Sequence, residues 1–277
     1  GSCLIRAGAA VTLVAGSRTV AALKARGLRR SGMFGSLAAP PEAFAAVTDA
    51  GQIQGRAFDF VLICTKSNHV RAAAETLHAH RHLLKENAII VHFQNGWGNA
   101  EKILDFFPKA TVYSGRVITG FTRPQPHHVV VTVHADAVHV GSLFAAPLEP
   151  VEPLCAAVAA GGLPCTPWAE IAKDLWAKML YNCALNPLGA ILKVPYGALA
   201  QSPHTRELMN RVIAEIYAVM DAEGFETYWP TAAAYQQAFY EHLVPPTAGH
   251  KSSTLQDLAA GRKTEIDALT GQILKFA

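Results

Sequence analysis

The sequence predicts an α/β domain on a largely parallel sheet, followed by an all-helical domain. Three observations carry this. The first half alternates short apolar runs with helical segments. Those runs are apolar on both faces, as strands covered by helices on both sides should be. From about Leu148 the periodicity becomes helical and stays so.

Taken in order, Ala10–Ala15 is a short apolar strand, with a helix-like Thr19–Arg26 after it. Asp59–Cys64 is a second apolar strand, followed by a helical Val70–Leu84. Ala88–Phe93 is a third, followed by Asn99–Phe107. Val129–Val140 alternates in part around Ala135-Asp136, which predicts an antiparallel hairpin at the far end of the sheet. Gly161-Gly162, Pro164 and Pro167 punctuate the transition. Glu170–Leu192, His204–Glu223, Thr231–Leu243 and Ser252–Leu274 carry helical periodicity. The predicted domains are therefore residues 1–165 and 166–277.

The 277 residues are long enough for two domains, and with 51% hydrophobic and 16% charged residues they can build a large core. A net charge of +3, with no cluster of Lys and Arg, argues against a nucleic-acid partner. No apolar run reaches the length of a bilayer, so a membrane is not expected as a partner. Gly1-Ser2-Cys3-Leu4 lacks the basic-then-apolar pattern of a secretory leader. Five cysteines without a CxxC pair argue for reduced thiols, buried as small hydrophobes, and a cytoplasmic protein. A doubly wound domain should open with a strand leading into a glycine-rich turn. Gly1-Ser2 would lie at or just past the end of such a turn, and Lys275-Phe-Ala277 stops inside a helix-like pattern. The chain thus reads as missing its ends, with a cloning remnant as the other account of Gly1-Ser2.

Four constellations carry chemistry. Lys178, Asn182 and Asn186 recur every four residues inside the apolar stretch Trp176–Leu188. On a helix each step of four advances roughly 400°, which puts all three on one polar stripe. Burying an ammonium is costly unless something pairs with it. A lysine in a cleft can protonate an oxygen that is becoming an alkoxide, and carboxamides can orient a hydroxyl or carboxylate. The same spacing also suits a lysine that reaches solvent beside asparagines that cap neighbours. Pro187 should kink or end this helix.

Gln94–Gly98 follows a strand and precedes a helix, where an α/β sheet contacts a cofactor and glycines let backbone approach a ligand. An ordinary Asn-Gly turn is the competing account. Cys64-Thr65-Lys66-Ser67 likewise ends a strand, so Lys66 is either a cofactor contact or a solvated loop lysine. In Ser252–Asp267, the serines can cap a helix and grip a carboxylate. Glu265 could hold Lys178 or a cofactor hydroxyl, and a capping serine with a surface glutamate is the alternative. Of the twelve histidines, His127, His128, His134 and His139 read as solvent-facing strand residues, and no metal site is expected.

In order, Gln94–Gly98, Trp176–Leu188 and Ser252–Asp267 resemble the ketopantoate reductase (2-dehydropantoate 2-reductase) family over nearly the whole chain. The resemblance implies a Rossmann-type N-terminal domain and an all-α C-terminal domain like that of 6-phosphogluconate dehydrogenase. It implies NADPH and a 2-keto acid in the cleft between them, and reduction of 2-dehydropantoate to pantoate. Carried onto matching positions, Lys178 resembles the general acid. Asn182, Asn186 and Ser253 resemble substrate contacts, and Asn95 the residue between substrate and cofactor. Gly1, Arg18, Lys66 and Glu265 fall on the cofactor side. A homodimer stays open.

Two departures matter. Gly16 stands where the family often has an arginine for the 2′-phosphate, with Arg18 two residues later. Tyr196, in Val194-Pro-Tyr-Gly197, replaces a substrate-binding asparagine. A reductase of another 2-keto acid or an imine is therefore one alternative. A non-catalytic NADPH-binding regulatory protein is the other.

Overall fold

A computed structural model describes residues 1–55 and 57–277. The chain divides into two compact units. The first comprises Gly1–Thr65, Val70–Phe93 and Ala100–Ile171; the second comprises Lys66–His69, Gln94–Asn99 and Ala172–Ala277.

The first unit is α/β. Its strands are β1 (Thr12–Val14), β2 (Leu28–Gly32), β3 (Leu37–Ala39), β4 (Ala45–Val47), β5 (Phe58–Ile63), β6 (Leu84–His92), β7 (Val112–Arg116), β8 (Thr119–Gln125), β9 (His128–His134), β10 (Val138–Gly141) and β11 (Cys165–Pro167). Its helices are α1 (Ser2–Arg6), α2 (Ser17–Arg26), α3 (Val70–Ala79), α4 (Asn99–Leu104), which begins in the loop carried by the second unit, and α5 (Glu152–Ala160). A five-stranded sheet runs β11-β10-β7-β6-β5, parallel except where β10 meets β7. Strands β1 and β4 form a separate parallel pair, and a four-stranded sheet runs β3-β2-β9-β8.

The core confirms a sheet buried on both faces. Ile89, Val91, Tyr113 and Val140 pack on one side with Leu154 and Cys155 of α5. Ile63, Ile90 and Val112 pack on the other with Val70, Ala74, Ala100 and Ile103. Side chains alternate along a strand, so both sets must be apolar when both faces are covered.

Several expectations are corrected. Val129–Val140 is not a hairpin: β9 pairs antiparallel with β8, whereas β10 joins the other sheet beside β7 and β11. The helix expected over Val70–Leu84 stops at Ala79, where a 3₁₀ turn at Arg81–Leu83 takes over; α4 likewise ends at Leu104. His127 and His139 are buried rather than solvent-facing. The His139 ring stacks on Trp168 at 4.2 Å, and its Nδ1 lies 2.5 Å from the Arg116 guanidinium. Cys64, just past the end of β5, is exposed, while the other four cysteines are buried.

The second unit is helical: α6 (Ile171–Leu192), α7 (Tyr196–Gln201), α8 (Pro203–Glu223), α9 (Ala232–Ala238), α10 (Ser253–Ala259) and α11 (Thr270–Phe276). A five-residue π-helical stretch, Phe239–Leu243, continues α9. Pro187 does not end α6, which runs five residues past it. Cys183 to Asn186, the turn before the proline, is wholly buried, so packing holds the helix together where its ladder loses a donor. Ser252–Leu274 is not continuous. α10 stops at Ala259, Gly261 adopts φ +64°, and a 3₁₀ turn at Ile266–Ala268 precedes α11. Among the described residues, no helix is long and apolar enough to cross a membrane.

Candidate active site

The helical unit contains seven of the nine residues singled out from the sequence: Lys66, Asn95, Lys178, Asn182, Asn186, Ser253 and Glu265. The other two, Gly1 and Arg18, belong to the α/β unit.

α6 supplies the stripe. Lys178 and Asn182 are half-buried and Asn186 is 3% exposed, while Met179, Leu180, Cys183, Ala184 and Leu185 between them are buried. Lys178 and Asn182 share the less buried side of the helix with Ala177 and Tyr181, whereas Asn186 lies among buried neighbours. The Asn186 carboxamide oxygen accepts a hydrogen bond from the Tyr196 hydroxyl at 2.5 Å.

The loop bearing Asn95 is fastened to the helical unit by backbone. Gly96 has φ +89°, and a Cβ there would lie 2.0 Å from the Ala268 carbonyl oxygen, so no other residue fits. The Trp97 N–H donates to that same carbonyl at 2.9 Å, and its indole packs on Trp176 and Phe225. The glycine's close approach is thus to Ala268. The Asn99 amide closes the loop by donating to the Asn95 carbonyl at 3.1 Å.

Lys66 is held by two carboxylates: its ammonium lies 2.8 Å from Asp257 and 3.4 Å from Glu265. Glu265 also accepts the Ser67 N–H at 2.9 Å. Asp257, nearly fully buried, takes the Arg262 guanidinium on its other oxygen at 3.0 Å. Desolvation pulls the Lys66 pKa down, but hydrogen bonds and charge from Asp257 and Glu265 outweigh it and hold it above the ordinary lysine value. Lys66 is therefore neither a freely solvated loop lysine nor a bare cation waiting for a ligand.

Ser252, fully buried, caps α10 by accepting the Leu255 N–H at 3.0 Å. That leaves Ser253, half-buried at the first position of the helix, with its hydroxyl outside the cap. Sequence reasoning left out Asp257 and the Tyr196–Asn186 bond. Asp257 stands five residues before Arg262, across a helix end, where helical spacing rules do not apply.

In the α/β unit, Gly1 precedes α1, and Arg18 is exposed in the first turn of α2, directly after β1. Among the described residues no group of three His, Cys, Asp or Glu side chains converges as a metal-ligand set.

Comparison with known proteins bears on the chemistry. A family model described as "Ketopantoate reductase PanE/ApbA" matches residues 1–144, and one described as "Ketopantoate reductase PanE/ApbA C terminal" matches residues 170–277. The 2-dehydropantoate 2-reductase of Aquifex aeolicus is 37% identical over 250 residues, covering 90% of this chain and 78% of that protein. A PanE/ApbA family ketopantoate reductase structure from Ralstonia eutropha superposes with a TM-score of 0.84 at 30% identity, over all of this chain and 86% of the other. A D-mandelate dehydrogenase solved with NADH and anilino(oxo)acetate shares the fold, with a TM-score of 0.83 at 22% identity over 99% and 86%.

Proposed function

The chain belongs to the ketopantoate reductase PanE/ApbA family, and from that premise we propose that it is an NADPH-dependent oxidoreductase that reduces 2-dehydropantoate to pantoate, a step of coenzyme A biosynthesis. The observation that carries the reading is the Lys178–Asn182–Asn186 stripe, set among the buried apolar residues Met179, Leu180, Cys183, Ala184 and Leu185 in the unit that also holds Asn95, Ser253 and Glu265.

Bound NADPH would supply hydride to the ketone carbon. Gly1 and Arg18 would hold its phosphate end, the exposed Arg18 being suited to a 2′-phosphate; Lys66, Asn95 and Glu265 would serve its nicotinamide end. Lys178 stabilises the negative charge growing on the ketone oxygen and gives that oxygen its proton. Asn182, Asn186 and the Ser253 hydroxyl orient the substrate without adding charge. The Glu265 bond to the Ser67 N–H, with the Lys66 pairs, fixes the loop after β5 and so fixes Lys66 itself.

The test is oxidation of NADPH and of NADH with 2-dehydropantoate. Turnover with NADPH is expected, and Lys178→Ala should lower kcat by roughly a hundredfold or more, the usual contribution of a general acid. Near-normal turnover by that variant would refute the proton-donor role. Tyr196 favours a second reading, a reductase of another 2-keto acid; a panel in which 2-dehydropantoate is the poorest substrate would favour it. A cytoplasmic location completes the proposal, and light scattering of the purified protein decides whether the chain is a monomer or a dimer.

A further inference from the structure

Tyr196 opens α7 and is 4% exposed. Its backbone is tied twice to the segment before α10. The Tyr196 N–H donates to the His250 carbonyl at 3.0 Å, and the Gly197 N–H to the Ala248 carbonyl at 2.8 Å. A Cβ at position 197 would sit 2.9 Å from the Ala248 Cβ, so glycine permits this approach. The Tyr196 ring meets Tyr181 edge-on at 5.8 Å and tilts against His250 at 5.3 Å. With backbone and ring both held, the hydroxyl is delivered to one place, the Oδ1 atom of Asn186.

A carboxamide offers an acceptor oxygen at one corner and an NH2 donor at the other. Here the oxygen is taken by the phenol. Turning the amide over would set its NH2 against the hydroxyl and leave the buried O–H proton without an acceptor, an arrangement that buried polar groups avoid. Burial, with Tyr181 beside it, pushes the phenol pKa up, so the hydroxyl keeps its proton and remains a donor across the working pH range.

We infer that Tyr196 is a positioning residue that fixes the Asn186 carboxamide by its oxygen and leaves the NH2 group to the substrate, so that this position reads an acceptor oxygen of a 2-oxo acid. With the Lys178 ammonium two turns earlier on the same stripe, the helix then presents hydrogen-bond donors to the carboxylate and ketone oxygens that all 2-oxo acids share. A substrate hydroxyl would be read at position 186 only through its lone pairs. The inference rests on the stripe being the 2-oxo acid site.

The experiment is a double-mutant cycle on the whole chain with NADPH and 2-dehydropantoate, using Tyr196→Phe, Asn186→Ala and both together. Tyr196→Phe removes only the hydroxyl. It should raise KM about tenfold and change kcat less than about twofold, the scale of one buried hydrogen bond. Asn186→Ala should raise KM at least as much, and the double variant should be no worse than Asn186→Ala alone. An unchanged KM in Tyr196→Phe, or effects that multiply in the double variant, would overturn the inference. A second readout needs no turnover. In the 15N-labelled protein, the Asn186 side-chain amide signals, identified by their loss in Asn186→Ala, should shift in Tyr196→Phe. Unshifted signals would overturn the link. Shifted signals in a protein that reduces no 2-oxo acid would uphold the link and refute the reading of the site.

Discussion

Lys66 shows how a single residue changes meaning once its partners are known. At the end of β5 the sequence marks it as a cofactor lysine or a solvated one, and the fold bridges it to Asp257 and Glu265. Asp257 is 191 residues away, and no local pattern links a loop lysine to a carboxylate at that distance. The Lys66 pKa is raised by these partners against the opposing effect of burial. A cation whose folded pKa is raised contributes its stability in full below its unfolded pKa, and loses it as pH climbs through the folded value. The difference in unfolding free energy between the parent protein and Lys66→Met should therefore be flat through neutral pH and shrink above about pH 10.4, the ordinary lysine value. Urea titrations at pH 7, 9 and 11 read it directly. A difference that grows in alkali would contradict the pairing. Lys66 remains 40% exposed, so solvent screens the pair and the difference should be modest.

Elements were legible as types far more than as partners. The alternation in Val129–Val140 identifies β9 and β10 correctly as strands, but pairing depends on which distant strand buries each one, and the two go to separate sheets. At the other extreme, α6 is written plainly in its periodicity, and the local cost of Pro187 loses to the burial of the surrounding turns. Ser252 marks the start of α10, a seven-residue helix too short to be stable alone. Ser252→Ala should destabilise the protein by about 1 kcal/mol, the usual worth of a serine cap, with Ser252→Gly costing less. Denaturant unfolding at a fixed pH measures both. If Ser252→Ala were neutral while Ser253→Ala destabilised, the cap would have been assigned to the wrong serine.

At the scale of the whole molecule, the helical unit is not simply the C-terminal half of the chain: it takes in Lys66–His69 and Gln94–Asn99, the loops that follow β5 and β6. Gly96 against the Ala268 carbonyl and Ser67 against Glu265 explain why those loops travel with the helices. The residues proposed for the phosphate end of the cofactor stay in the α/β unit. If Arg18 reads the 2′-phosphate, Arg18→Ala should weaken NADPH binding by about tenfold or more, the worth of a charge-assisted contact, and leave NADH binding almost unchanged. Fluorescence titration with both nucleotides decides it, and equal losses for the two would sink the assignment. The two fold classes, the order of the main strands and helices, and the polar stripe on α6 are legible in the sequence, because hydrophobic period and turn residues act over a few positions. The pairing of the strands, the hold of Asp257 and Glu265 on Lys66, and that of Tyr196 on Asn186 emerge with the folded chain. Those contacts join residues from ten to nearly two hundred positions apart, and their geometry exists only after the backbone has closed around them.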